Sequence, residues 1–388
     1  MNTTREPLRQ LMNRLRSLVA IPSFSGQEEN LSRYIAGELA GCGADIEIDA
    51  DHNIAAIVAP SGYKKTLHVA GHMDTVPPGS AWTVDPFTPV VQEDRLIGLG
   101  SSDMKAGLAG MMMCLEHFTQ HPPRNLRIIF GFTICEEGPA PGKRNGVYNL
   151  CERYGGDYAI TAEASGAGNG LHYPSVGSQA HIRATVVFSG RTSHSAYPEK
   201  GVNAIIPAAE FVQRVTWYNE DLRSRWRLLW DGSPDVMARP CAAATMIDGG
   251  VVVNVIPDRC TVQVSRRTAP GETFTQVSGE IRDLVAGLGE VEVRFGRWEN
   301  PCLTPQDSPL IAAGRHALLR ASLAFQPRLS RGRQDSVIFA AHGMHTYNVG
   351  PGTAATGHTA DEYCMYCDLT SGTELLEWTI RNLDDVLD

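Results

Sequence analysis

The chain has 388 residues, which at roughly 150 residues per domain predicts two or three domains with a substantial buried core and excludes a small stapled scaffold. Its 43 acidic residues outnumber 34 basic ones for a formal net charge of −9, so binding by phosphate neutralisation would work against the protein's own field, and nucleic acid is not an expected partner. The 43% hydrophobic and 20% charged fractions are those of a folded globular protein.

Nine cysteines, an odd number scattered from Cys42 to Cys367, do not make a disulfide framework. A reducing, cytoplasmic compartment fits. The N-terminal MNTTREPLRQLMNRLRSLVA mixes arginine into apolar positions and lacks the features of a signal peptide. The most apolar run, residues 106–115, falls short of the ~20 residues that span a bilayer. No membrane partner is expected.

In chain order, Leu8, Leu11, Leu15 and Leu18 recur at helical spacing up to Ile21-Pro22, which predicts an N-terminal amphipathic helix. A second helix is expected over 27–39, ending at Gly41, and short strands near 44–48, 54–58 and 66–70. Residues 128–134 and 158–161 read as buried strands with polar residues at their C-terminal ends, where open α/β sheets place their sites. From about Gln179 the rhythm becomes strand 180–188, helix 203–218, strand 241–247, strand 260–267, helix 272–286, strand 290–295, a ferredoxin-like β-α-β-β-α-β unit. Helix 309–319 and strand 346–349 then resume the first pattern. The expected fold is α/β: a mixed-sheet domain of residues 1–178 and 297–388, interrupted by an inserted α+β domain of residues 179–296.

A set of His, Asp and Glu residues follows these strands. His72 and Asp74 lie in HVAGHMDTVPPG, Asp103 in GLGSSDMKAG, Glu136 and Glu137 after 128–134, Glu163 after 158–161, and His358 in ATGHTADEY. Singly, each reads as a turn cap or a structural histidine. Together they suit a pair of divalent ions, zinc above all, with one His and one terminal carboxylate per ion and a shared carboxylate bridge. Adjacent Glu136 and Glu137 point in different directions outside a helix, so one is free to bind metal while the other handles protons. Asp74, two residues past His72, is placed to accept the second ring N–H of that histidine.

The ordered motifs HMD, GSSDMKAG, CEEG, TAEAS, TSHSAYPEKGVNAI, NVIPDR, RRTAPGE, GPG and GHTADEY resemble the di-zinc aminoacylase/carboxypeptidase family, which includes acetylornithine deacetylase and succinyl-diaminopimelate desuccinylase. The resemblance implies a zinc-hydrolase catalytic domain carrying an inserted lid and dimerisation domain, two Zn2+ per chain with Co2+ or Mn2+ as substitutes, and a homodimer formed through the lid. It implies that His72 and Glu163 hold one zinc, Glu137 and His358 the other, and that Asp103 bridges them. Glu136 would be the general base and acid, and Asp74 would support His72. His194, in GRTSHSAYP, matches the family position that donates to the oxyanion. Asn254 and Arg267 resemble positions that hold a substrate carboxylate, although Arg267 reads equally as an arginine paired within the lid. Gly352, in Gly350-Pro351-Gly352, resembles the loop that lets substrate approach the metals.

The implied activity is removal of a small acyl group, acetyl or succinyl, from an N-acyl amino acid. The alternatives are a dipeptidase or carboxypeptidase releasing a C-terminal residue, and a non-catalytic metal-binding module. The chain departs from desuccinylases at two places: Ser175-Val176-Gly177-Ser178 stands where they have Arg-Arg-Gly-Ser, and Arg333-Gln334-Asp335-Ser336-Val337 where they have Thr-Ser-Asp-Gly-Arg. Cys364-x-x-Cys367 lacks a second pair and reads as two packed cysteines. The aromatic and basic segment 217–230 reads as lid core or dimer contact.

Overall fold

The apolar runs 54–58 and 158–161 lie in one sheet of the computed structural model, which describes residues 5–138 and 140–388. Asp45–Ile48, Ile54–Val58, Leu126–Thr133, Lys65–His72, Tyr158–Thr161 and His345–Asn348 are neighbours in that spatial order. The first three pair antiparallel, whereas Lys65–His72 pairs parallel with both Leu126–Thr133 and Tyr158–Thr161, and Tyr158–Thr161 pairs parallel with His345–Asn348. The sheet is therefore mixed. The central strands are buried almost throughout, as strands covered on both faces must be.

Helix Arg5–Val19 buries Leu11, Leu15, Leu18 and Val19, each worth roughly 1.5–3 kcal/mol. It packs with Lys105–Gln120 and Tyr366–Val386. Lys105–Gln120 also packs on strand Lys65–His72, where a Cβ at Gly71 would fall 2.6 Å from Met104 Cε and one at Gly107 would fall 2.2 Å from the Ala162 carbonyl oxygen. Only hydrogen fits at Gly107, so this helix begins directly against the end of the sheet. On the same sheet, helix Val147–Tyr154 sets Leu150 against Ala55 and Ile129.

The described residues divide into two units: the first runs to Gly177 and takes in Thr304–Arg328 and Ile338–Asp388, and the second comprises Ser178–Leu303 and Leu329–Val337. In the second, strands Cys241–Gly249, Arg259–Thr268, Ala180–Ser189 and Val291–Phe295 form an antiparallel sheet in that order. With helices Ile205–Ser224 and Phe274–Leu284 this is the ferredoxin-like order. Ile182, Ala184, Val186 and Phe188 alternate inward with Cys260, Val262 and Val264, and pack against Phe211, Val215 and Ile281 of the helices. Arg266 continues the inward set, fully buried against Glu272, 2.5 Å away, and the Tyr218 hydroxyl at 3.0 Å. Helix Ile205–Ser224 extends past the expected end at 218, so Trp217 belongs to it rather than to a following segment.

Candidate active site

The parallel strands all point their C-terminal ends toward one rim, and the chemistry-bearing residues sit there. His72 ends Lys65–His72. Ala70 pairs with Thr161 in the neighbouring strand, so two further residues carry His72 and Glu163 to the same level. Glu136 and Glu137 come three and four residues after Leu126–Thr133. Asp103 precedes helix Lys105–Gln120, and its peptide bond to Met104 is cis.

His72, Asp103 and Glu137 each offer a ligand atom, and these atoms all lie within 4.8 Å of one another. His72 Nε2 is 3.3 Å from Asp103 Oδ1. His358 Nε2 lies 3.5 Å from Asp103 Oδ2 and 2.8 Å from Glu137 Oε1. Gly357 makes that approach possible, because a Cβ there would meet Asp103 Oδ2 at 3.0 Å. Four residues, one at a strand end and three from separate loops, thus share one small volume.

The electrostatics of the group follow from this crowding. Burial opposes charge on His72, but Asp103, Asp74 and Glu137 outweigh it and raise its pKa well above the ordinary histidine value. The Glu137 carboxylate, helped by Asp103 and opposed by burial, raises His358 to about 9. Burial would raise Asp103, yet His72 and His358 hold it below the ordinary value. Each direction describes a carboxylate-rich site that holds positive charge, and its nitrogen and oxygen donors suit a borderline divalent ion. The donor set fits a metal.

Behind these residues stand further anchors. Asp74 is fully buried. One of its oxygens accepts the backbone N–H of Glu136 at 3.1 Å; the other accepts that of Glu137 at 3.0 Å and the Ser25 hydroxyl at 2.7 Å. His72 Nδ1 is 2.9 Å from the backbone carbonyl of Asp74 and 3.7 Å from its carboxylate. The main chain of Asp74 therefore fixes the His72 ring, and the side chain is given to the Glu136-Glu137 loop. The carboxylate route expected from the His-x-Asp spacing is corrected in this respect.

The model for peptidase family M20/M25/M40 matches residues 68–382. The chain belongs to that family. As an M20 member it is a metal-dependent amide hydrolase. It is similar to the succinyl-diaminopimelate desuccinylase of Xylella fastidiosa, with 29% identity over 377 residues covering 94% of this chain and 96% of the relative. In fold it is similar to the M20 metallo-carboxypeptidase Sso-CP2 of Sulfolobus solfataricus, with a TM-score of 0.79 at 16% identity over 97% of this chain and 99% of that one. It also resembles a dinuclear metal-binding M20 peptidase of Bacillus subtilis, with a TM-score of 0.72 at 14% identity over 98% of each chain.

The remaining candidates of this M20 chain fall in different surroundings. Glu163 is half-buried at the rim. His194 is exposed in the second unit, its Nδ1 accepting the Ala196 N–H at 3.0 Å, and it pairs with Val255 next to exposed Asn254. Arg267 is half-buried on Arg259–Thr268 and alternates with Arg266, which takes the buried ion pair. Gly352 is buried at φ 118°, and the space a side chain would need is filled by Ala164 and the Ser102 carbonyl. Close packing thus accounts for that glycine without a substrate. Arg333 is bound to Glu299 and Asp335. Cys364 and Cys367 are both free thiols.

Two buried carboxylates escaped the motif reading. Glu28 accepts the N–H of Gly26 at 2.8 Å and of Cys135 at 3.2 Å, tying the N-terminal region to the residue before Glu136. Glu362 accepts three N–H groups of the Asp103 loop. Burial raises the Glu362 carboxyl to about 7 while those donors pull it the other way. The available signal was the position of Glu362 inside GHTADEY, four residues after His358.

Proposed function

We propose that the chain hydrolyses the amide of an N-acyl amino acid, releasing a small acyl group such as acetyl or succinyl, with two divalent metal ions, zinc the expected species. The carrying observation is the cluster of His72, Asp103 and Glu137, joined by His358, with Glu136 next in the chain. In this reading His72 and Glu163 hold one ion, Glu137 and His358 the other, and Asp103 serves both. The likeness to a dinuclear M20 peptidase and to desuccinylases supports it.

Bound there, the ions supply Lewis acidity toward the scissile carbonyl and bring the pKa of water toward neutrality. Glu136 accepts the proton of the attacking water and returns it to the departing amine nitrogen as the C–N bond breaks. Asp74 keeps Glu136 and Glu137 in separate directions through their backbone N–H groups. His194 is kept as the candidate oxyanion donor, and Asn254 and Arg267 as candidate carboxylate contacts, on their motifs alone. The test is Glu136→Ala in zinc-loaded protein, expected to keep its metal content and lose activity by about 10²–10⁴-fold; full hydrolysis would overturn the assigned base.

A second reading is release of a C-terminal residue from a dipeptide or peptide; the absence of both desuccinylase arginine stretches weakens the succinyl option, and the likeness to a metallo-carboxypeptidase supports this alternative. A panel of N-acetyl, N-succinyl and dipeptide substrates separates the two by kcat/KM. Among the described residues no helix is long and apolar enough to cross a membrane, and the nine free thiols agree with a cytoplasmic setting.

The inserted domain is read as lid and dimerisation surface. Strand Cys241–Gly249 is a sheet edge, and Met246, Ile247, Val251 and Val253 are 62%, 56%, 93% and 96% exposed. An open edge with such a surface is what a second copy would cover. Ile247→Lys is expected to give a monomer by light scattering; an unchanged dimer, or a monomeric wild type, would overturn this surface.

A further inference from the structure

Asp103 and His358 come from loops far apart in sequence, yet a fixed spacing between them is what a metal centre requires. The structure shows one side chain that spans the two loops. Glu362 is 1% exposed. Its Oε2 accepts the Gly100 N–H at 2.8 Å, and its Oε1 accepts those of Ser102 at 2.8 Å and Asp103 at 2.9 Å. Its own backbone carbonyl accepts the Gly98 N–H at 2.9 Å. Beside it, Ser102 Oγ donates to the Tyr363 carbonyl at 2.8 Å and accepts the Thr353 N–H at 2.8 Å.

Successive N–H groups converging on one anion form a concave nest, and hydrogen bonds to a charged acceptor are about twice as strong as neutral ones. One end of this nest is the backbone N–H of Asp103 itself. The other end leads in four residues to His358, whose Nε2 is 3.5 Å from Asp103 Oδ2.

We propose that Glu362 is a positioning residue of the metal centre: it clamps the 98–103 loop to the 357–363 loop and thereby sets the spacing between Asp103 and His358. The proposal rests on the metal-centre reading above. A buried carboxylate that served stability alone could gather any three donors; this one gathers the donors that carry a candidate ligand, from a stem that carries another. Glu362→Gln keeps the shape but turns one acceptor oxygen into an NH2 group facing an N–H donor, so at least one of the three bonds is lost.

The experiment is competition of each protein against a chromogenic chelator for zinc, with wild type, Glu362→Gln, Glu362→Asp and His72→Ala, alongside thermal unfolding of the metal-free proteins and steady-state kinetics. Glu362→Gln is expected to bind zinc roughly 10–100-fold more weakly, and to lose kcat while KM stays near wild type. Glu362→Asp, which keeps the charge, is expected to recover part of both. A Glu362→Gln protein that unfolds earlier yet matches wild type in zinc affinity and kcat overturns the positioning role and leaves the metal-centre reading standing. A His72→Ala protein with wild-type zinc affinity overturns that reading and this proposal with it. If Glu362→Gln does not fold, Glu362→Asp is judged by the same affinity criterion.

Discussion

Asp74 and Glu137 are joined side chain to main chain: a fully buried carboxylate oxygen of Asp74 accepts the Glu137 N–H at 3.0 Å, while its partner oxygen takes the Glu136 N–H. The loop that holds the paired glutamates is therefore pinned from beneath by an anion. Asp74→Asn replaces one acceptor with a donor pointing at an N–H, and the loop must shift. The expected cost is roughly 10–100-fold in kcat or metal affinity. Kinetics together with zinc titration check it; a variant unchanged in both would mean that the loop holds its shape without Asp74.

In the second unit, Arg266 is fully buried and its charge is met by Glu272. Removing one partner of a buried pair leaves an uncompensated charge and costs about 3–5 kcal/mol. Glu272→Ala is expected to destabilise by that amount in urea unfolding. The double change Arg266→Met with Glu272→Leu is expected to recover most of it, since well-packed apolar residues replace buried pairs at little cost. Equal loss in the single and double variants would contradict the account.

Continuous apolar runs make parts of this fold legible in the sequence. Residues 54–58 and 158–161 are continuous apolar runs bounded by turns, and both strands have those limits. Helix Lys105–Gln120 has no legible helical period: it is buried on nearly every side, so it lacks the polar stripe that marks one. At the site, His72, Asp103, Glu137 and His358 stand out because their residue types and order carry metal chemistry. Glu362 and Glu28 do not, because they act by accepting backbone N–H groups. The donors to Glu362 are 259 to 262 residues away. The return of Leu329–Val337 to the second unit has no periodic signature either.

Gly107 tests the close approach of helix and sheet. Any Cβ there falls 2.2 Å from the Ala162 carbonyl oxygen, and backbone cannot step aside as a flexible side chain can. Gly107→Ala gains about 1 kcal/mol in helix propensity against an overpacking cost of about 1–3 kcal/mol, so a net loss of up to about 2 kcal/mol is expected. Because the helix starts two residues after Asp103, activity per folded molecule should fall as well. A Gly107→Ala protein of wild-type melting temperature would show that the helix sits farther from the strand.

Acid stability follows from two histidines outside the metal cluster. Burial lowers His68 from 6.5 to about 4, opposed by the Gly155 carbonyl that its Nε2 meets and reinforced by Arg127. Burial likewise lowers His172 to about 4, against the pull of Asp368; its ring lies between the hydroxyls of Ser165 and Ser371, each at 2.8 Å. Both folded values lie below the unfolded one. Between pH 6.5 and 4 the unfolded chain therefore binds protons that the native state refuses, and stability falls as pH drops through that window, by roughly 3 kcal/mol for each histidine. Above pH 6.5 both are neutral in either state and contribute no slope. Urea midpoints across pH 4 to 8 measure this. His68→Gln keeps an N–H for Gly155 but takes up no proton, so its curve should be flatter below pH 6.5; a curve parallel to wild type would show that His68 is charged in the native state.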